Sequence, residues 1–263
     1  MHWSMKVTLA TTLSAFALGA YAVNGKPNPT TVSPAERAKI EEVVHQYLMQ
    51  KPEVIIEAVQ SFQRQQYEQA EQTVKKTQQT AATYAEPLFR KEADPTAGNP
   101  NGAVTVVEFF DYQCPHCVDM APVIESVIKA NPDVRVVFKD FPIRGPISDF
   151  AARAALAAHK QGKYYEFSHA LLTANKNLTQ DVVLDIAKTQ GLDVDQLKKD
   201  MNDISINNQL KDNIKLAQDL KLFGTPAFFI GKTNTNADGK INYVPGQMDQ
   251  NQLQDAINKA KQA

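Results

Sequence analysis

Surplus charge is nearly absent from this sequence. Lys and Arg number 28 against 29 Asp and Glu, a formal net charge of -1 over 263 residues. Nucleic-acid binding normally demands a basic patch, so no nucleic-acid partner is expected. Beyond the first 22 residues no apolar run is long enough to cross a bilayer. Tryptophan occurs once, at Trp3, and cysteine only twice. Two thiols cannot build the multi-bridge framework of a small secreted domain, nor the four-ligand shell of structural zinc. Cys114, His116 and Cys117 could offer three ligands, but no second C-x-x-C or His pair accompanies them. His45, His159 and His169 are scattered over helical pattern. No metal and no organic cofactor is expected.

The apolar run that does exist is short and N-terminal. Lys6 precedes VTLATTLSAFALGA, and AYA at 20–22 is an A-x-A cleavage pattern. Residues 1–22 therefore read as an export signal, with Val23 the first mature residue and the periplasm the expected location. Association with the outer membrane is left open. Exported compartments permit disulfides, yet a C-x-x-C bridge closes a loop too short to brace a protein of this size. Bracing is not what the two cysteines are for.

The first mature segment, 23–83, reads as helical. Ser33, Pro34 and Glu36 spell a helix start with a capping box. Ile40, Val43, Val44, Tyr47 and Leu48 then mark one face, and the pattern breaks before Pro52. A second helix carries Ile55, Val59 and Phe62 and continues into a glutamine-rich stretch with a thin line of Tyr67, Ala70 and Val74. Two such helices cannot bury their stripes alone. They must dock on the rest of the chain or on a second copy, which makes this a candidate dimerisation region.

DPTAGNPNG at 94–102 reads as the linker to a catalytic domain over 84–263. AVTVVEFF (103–110) is a strand buried on both faces that runs into a helix opening at the cysteines. DVRVVFKDF (133–141) is a second strand, parallel to the first across a helical crossover. TPAFFIG (225–231) and INYVPG are expected to pair as a hairpin, followed by a closing helix with Leu253, Ala256 and Ile257 inside. Between the strand groups, about 145–222, lie four or five helical patterns. The expected fold is α/β with an inserted helical subdomain.

A strand entering C-x-x-C and a helix is the thioredoxin-like redox arrangement. Cys114 at the helix N-terminus meets the positive end of the macrodipole and free N–H groups, which favour its thiolate. Cys117 follows one turn later, within disulfide reach, deeper and protonated. Pro115 fits the first turn without losing a hydrogen bond, and His116 is expected beside the sulfur as donor or cation. An ordinary thiol is only about 3% ionised at neutral pH, whereas thiols at such sites ionise at roughly 3.5–7.5. A fall of roughly three to four pH units would stabilise the reduced form by roughly 4–5 kcal/mol, so the disulfide would be readily given away. Glu108, six residues before Cys114, is a lone acid in an apolar strand; its pKa is raised or it pairs with a base such as Lys139.

FFDYQCPHC, GTPAFFI far downstream, and FPIRGPISDFAARAALAAHKQGKYYEF between them resemble the DsbA family of thiol-disulfide oxidoreductases over about residues 85–262. The resemblance implies a thioredoxin fold with the helical insertion. It also implies a cis peptide at Thr225-Pro226, a substrate chain paired at the Thr225 backbone, and Glu108 as proton acceptor for Cys117; a structural ion pair is the alternative for Glu108. Pro115-His116 matches disulfide donors, whereas Thr225 and the N-terminal extension resemble the isomerase DsbC, which dimerises through its N-terminus. The reading is a homodimer that forms or isomerises disulfides in unfolded or mis-bridged exported proteins, recharged by a membrane redox partner. The rival is a non-catalytic envelope protein that binds a partner through its N-terminal helices.

Overall fold

The computed structural model describes residues 32–174 and 177–263. The expected export signal, residues 1–22, lies outside them. The chain divides into two compact units, with the boundary between Gln63 and Arg64.

The first unit contains α1 (Pro34–Gln50) and the first part of α2 (Glu53–Thr80). Both halves of the expected capping box form. The Glu36 N–H reaches the Ser33 hydroxyl at 3.3 Å, and the Ser33 N–H reaches the Glu36 carboxylate at 3.0 Å. The helix stops at Lys51, one residue before Pro52, because proline disfavours helical geometry in the residue ahead of it. No residue of α1 is buried in the single chain. Ile40, Val43, Val44 and Tyr47 on α1, and Ile55, Val59 and Phe62 on α2, are all exposed.

The end of α2 belongs to the second unit, so the helical region expected over 23–83 is divided within a helix. Thr77 is buried and its hydroxyl donates to the Leu220 carbonyl at 2.8 Å. Gln78 donates to the Ile241 carbonyl and accepts the Tyr243 N–H at 2.7 Å. A 3-10 turn (Ala81–Tyr84) and α3 (Ala85–Phe89) follow.

Among the described residues one sheet holds five strands: β1 (Thr96–Gly98), β2 (Val104–Phe110), β3 (Val134–Asp140), β4 (Ala227–Lys232) and β5 (Ile241–Pro245). Their spatial order is β1-β3-β2-β4-β5. The expected β2–β3 pair is parallel, and the expected β4–β5 hairpin is antiparallel. The stretch 94–102 is more than the expected linker. It contributes β1, antiparallel to β3, because Thr96–Gly98 finds the open hydrogen-bonding edge of that strand.

Alternation along β2 assigns its side chains to two cores. Val104, Val106 and Phe110 join one, under α4 (Pro115–Ala130) and the helical insertion; Val107 and Phe109 join the other, with Leu88, Phe89 and Leu216. Glu108 has the parity of Val106 and Phe110, so it lies on the α4 face. The insertion comprises α5 (Pro146–Lys160), α6 (Tyr164–Leu172), α7 (Gln180–Thr189), α8 (Val194–Asp200) and α9 (Ile204–Asp219). A final helix, α10 (Gln250–Gln262), buries Leu253, Ala256 and Ile257 as its stripe requires.

Candidate functional site

The chain leaves β2 through Asp111, Tyr112 and Gln113 and enters α4 at Cys114, which is the N-cap. Pro115 takes the first helical position, where a missing N–H costs nothing. The Cys117 and Val118 N–H groups both bond the Cys114 carbonyl at 3.0 Å. Cys117 thus falls one turn along on the buried stripe of α4, with Met120, Ala121, Ile124 and Val127. Both thiols are free.

Cys114, at the helix start, is nonetheless 0% accessible. The loop before β4 lies against the helix start, and the Cys114 thiol donates to the Thr225 carbonyl at 3.2 Å. The Thr225-Pro226 peptide bond is cis. Among the described residues the Thr225 N–H has no backbone partner.

The two thiols occupy opposite electrostatic settings. Burial pushes the Cys114 thiol up, but the Thr225 hydroxyl, the Cys117 N–H and thiol, and the charge of Arg144 outweigh it and hold it below the ordinary value. Burial pushes the Cys117 thiol well up, and the Glu108 charge adds to that. Glu108 is buried, and this, with the negative charge of a Cys114 thiolate, raises its carboxyl to about 8. Its strand neighbours explain the desolvation: Glu108 sits in register between Phe138 and Phe228. At neutral pH it is an acid holding a proton on the face that carries Cys117.

Two expectations need correction. Lys139 does not pair with Glu108; it makes a buried ion pair with Asp94 and donates to the Pro87 carbonyl at 2.7 Å. Residues 108 and 139 have opposite parity in the β2–β3 register and so face opposite sides of the sheet. His116 is exposed and its ring bonds the Gln247 side chain, so the cation acting on Cys114 is Arg144 instead. Arg144 lies within FPIRGPISDFAARAALAAHKQGKYYEF, where no spacing marks its role. The Thr225 hydroxyl acts on Cys114 across 111 positions of sequence, a distance at which no local pattern marks it.

The model of the DSBA-like thioredoxin domain matches residues 105–258, and that of the copper resistance protein ScsC N-terminal domain matches residues 36–69. A thioredoxin-like oxidoreductase from Silicibacter pomeroyi is 43% identical, with a TM-score of 0.63 over 68% of this chain and 98% of that one. BcfH from Salmonella enterica Typhimurium is 36% identical, with a TM-score of 0.62 over 86% and 96% of the two chains. The probable disulfide bond formation protein D of Bacillus cereus is 29% identical over 57% of this chain and 76% of its own length. The chain also matches the Na(+)/H(+) antiporter NhaA 3 of Salinispora tropica at 29% identity over 53% of its length, and there it spans only 22% of the relative.

Proposed function

The chain belongs to the DsbA-like thioredoxin-domain family of thiol-disulfide oxidoreductases, and from that premise we propose that it forms and isomerises disulfides in exported proteins through Cys114 and Cys117. The observation that carries this reading is the placing of the two thiols, Cys114 as N-cap of α4 bonded to the Thr225 carbonyl beside the cis peptide, and Cys117 one turn along on the face of Glu108.

In the oxidising direction a substrate thiolate attacks Cys114 of the Cys114–Cys117 disulfide. The S–S bond breaks, a mixed disulfide forms on Cys114, and the leaving Cys117 sulfur takes a proton from Glu108. Burial makes that protonation favourable, because an uncompensated thiolate is costly where Cys117 sits. A second substrate thiolate then attacks the substrate sulfur of the mixed disulfide. The products are an oxidised substrate and a Cys114 thiolate, the better leaving group because its environment stabilises the anion. In isomerisation, reduced Cys114 attacks a mis-paired substrate bond first, and Cys117 resolves complexes that stall. The unpaired Thr225 N–H offers an extended substrate chain a strand-like bond beside the sulfur.

Location in the periplasm, a membrane redox partner that resets the pair, and self-association belong to the same proposal. The exposed stripe of α1 and α2 is the support for self-association. A homodimer is the smallest assembly that would cover it and bring two redox sites to one misfolded substrate.

The test is refolding of scrambled ribonuclease by the intact chain and by its Cys114→Ser and Cys117→Ser variants. Cys114→Ser should lose activity, and Cys117→Ser should accumulate a mixed disulfide with substrate. Full activity of Cys114→Ser would overturn the proposal. It would favour a binding protein that works through its N-terminal helices.

A further inference from the structure

The carboxylate of Asp111 is saturated by one small piece of the fold. The residue is 1% exposed and stands three positions before Cys114. One oxygen accepts the Gln113 N–H at 2.7 Å and the Ser148 hydroxyl at 2.7 Å. The other accepts the Ile143 N–H at 2.7 Å and the Arg144 N–H at 3.0 Å. Its own backbone carbonyl takes the Cys114 N–H at 3.1 Å. Gln113 closes the ring, donating from its amide to the Arg144 carbonyl at 3.2 Å and to the Ser148 hydroxyl at 3.0 Å. Four donors use the four acceptor positions of a carboxylate, so no neutral side chain can replace it.

The segment tied down this way has no regular structure of its own. It runs from the end of β3 to the start of α5, through Pro142, Ile143, Arg144 and Gly145. Gly145 turns the chain with a φ of 105°, a left-handed conformation that suits glycine. Arg144 is exposed, and its backbone is bonded to the turn that precedes Cys114, its N–H to Asp111 and its carbonyl to Gln113.

We propose that Asp111 is a positioning residue of the redox site: its carboxylate fastens the 142–145 segment to the turn before α4 and thereby fixes the Arg144 cation beside the Cys114 sulfur. Arg144 then favours the thiolate that forms when Cys114 leaves a mixed disulfide. The other groups that bear on Cys114 are Cys117 on α4, Glu108 on β2, and Thr225 before β4. None of these is among the four donors to the Asp111 carboxylate. The inference rests on the redox reading for its purpose, but its test reads the ionisation of Cys114 rather than disulfide exchange.

The direction of the effect separates positioning from direct charge. Removing a negative charge near a thiol should make that thiol more acidic. Releasing a nearby cation should make it less acidic. Asp111→Asn does both: it removes the charge and puts an NH2 donor where two donors must be accepted. In the full-length reduced chain, alkylation of Cys114 by iodoacetamide near pH 6 should slow about threefold in Asp111→Asn, the scale of one partly exposed charge pair. The pH profile should move upward with it. Arg144→Gln should do the same, and the double variant should be no slower than either single one. A faster or unchanged rate in Asp111→Asn, or effects that multiply in the double variant, would overturn the proposal.

Ser148→Ala keeps the carboxylate and removes one of its four donors, which guards against a variant that fails to fold. It should shift the profile in the same direction by less, and no shift there, with Asp111→Asn unfolded, also overturns the proposal. If the wild-type chain fails to exchange disulfides while these profiles behave as expected, the redox reading falls and the positioning role stands.

Discussion

Glu108 and Lys139 lie one register step apart on neighbouring parallel strands, both buried, and face opposite sides of the sheet. The lysine is spent on Asp94 in one core, which leaves the glutamate without a cation in the other. This separation keeps Glu108 protonated at neutral pH, where a paired carboxylate would be ionised.

The dithiol form should therefore lose stability as the pH rises. Glu108 ionises near 4.5 when exposed and at about 8 in the folded chain, so between these values the folded chain binds a proton that the unfolded chain does not. Its stabilising effect is fully present below about pH 4.5 and is lost as the pH approaches about 8, a difference of roughly 3–5 kcal/mol. Asp140, raised by burial to about 7, adds a similar slope. Glu108→Gln should remove about half of the pH dependence in urea melts of the reduced protein between pH 5 and 8. An unchanged slope would mean that the carboxyl is solvated.

Lys139→Met should be severely destabilising. Burial raises the Asp94 carboxyl and the lysine charge opposes that, so removing the lysine strands a buried acid. The expected loss is about 3–5 kcal/mol in equilibrium unfolding. Replacing Asp94 with Leu in the same chain should restore most of it. A double variant as unstable as the single one would contradict this account.

Thr225→Val isolates the hydroxyl from the backbone it sits on. In the dithiol chain the Thr225 hydroxyl is buried without a partner, because the Cys114 thiol donates to the carbonyl instead. Once Cys114 ionises, the hydroxyl has an acceptor. Valine keeps the shape and removes the donor. Cys114 thiolate absorbance should then titrate at a higher pH, with a several-fold lower alkylation rate at neutral pH, as expected for a charged hydrogen bond of about 1.5–3 kcal/mol partly replaced by water. Thermal stability should stay level or rise, since an orphaned buried polar atom disappears. A titration identical to wild type would assign the acidity of Cys114 to the other groups.

The stripe on α1 should govern assembly. Val43 and Tyr47 are 65% and 48% exposed in the single chain. Charges there would cost little in a monomer and much in a helix-paired interface. Val43→Glu with Tyr47→Glu should convert the assembled protein to monomer in multi-angle light scattering, leaving Cys114 alkylation unchanged. A wild-type chain that is already monomeric would remove the basis for the two-site model of isomerisation.

Much of the fold was legible in the residues because its signals are local. The Ser33–Glu36 capping box, the break before Pro52 and the Cys114–Cys117 spacing each depend on neighbours within one helical turn. The two-face burial of β2, its parallel partner and the helical insertion followed from the length and period of apolar runs. What the residues alone could not state was who faces whom. The partner of Lys139 depends on strand register, and register places a buried cation on one face or the other in single-residue steps. The burial of Cys114 depends on a carbonyl 111 residues away, and the place of Arg144 on four hydrogen bonds converging at Asp111. From the residues alone it follows that two thiols share one helical turn at the end of a buried strand, with the charge on the first. Which groups hold the charge on Cys114 and keep Cys117 neutral follows from the fold, because desolvation and dipoles there come from chain segments distant in sequence.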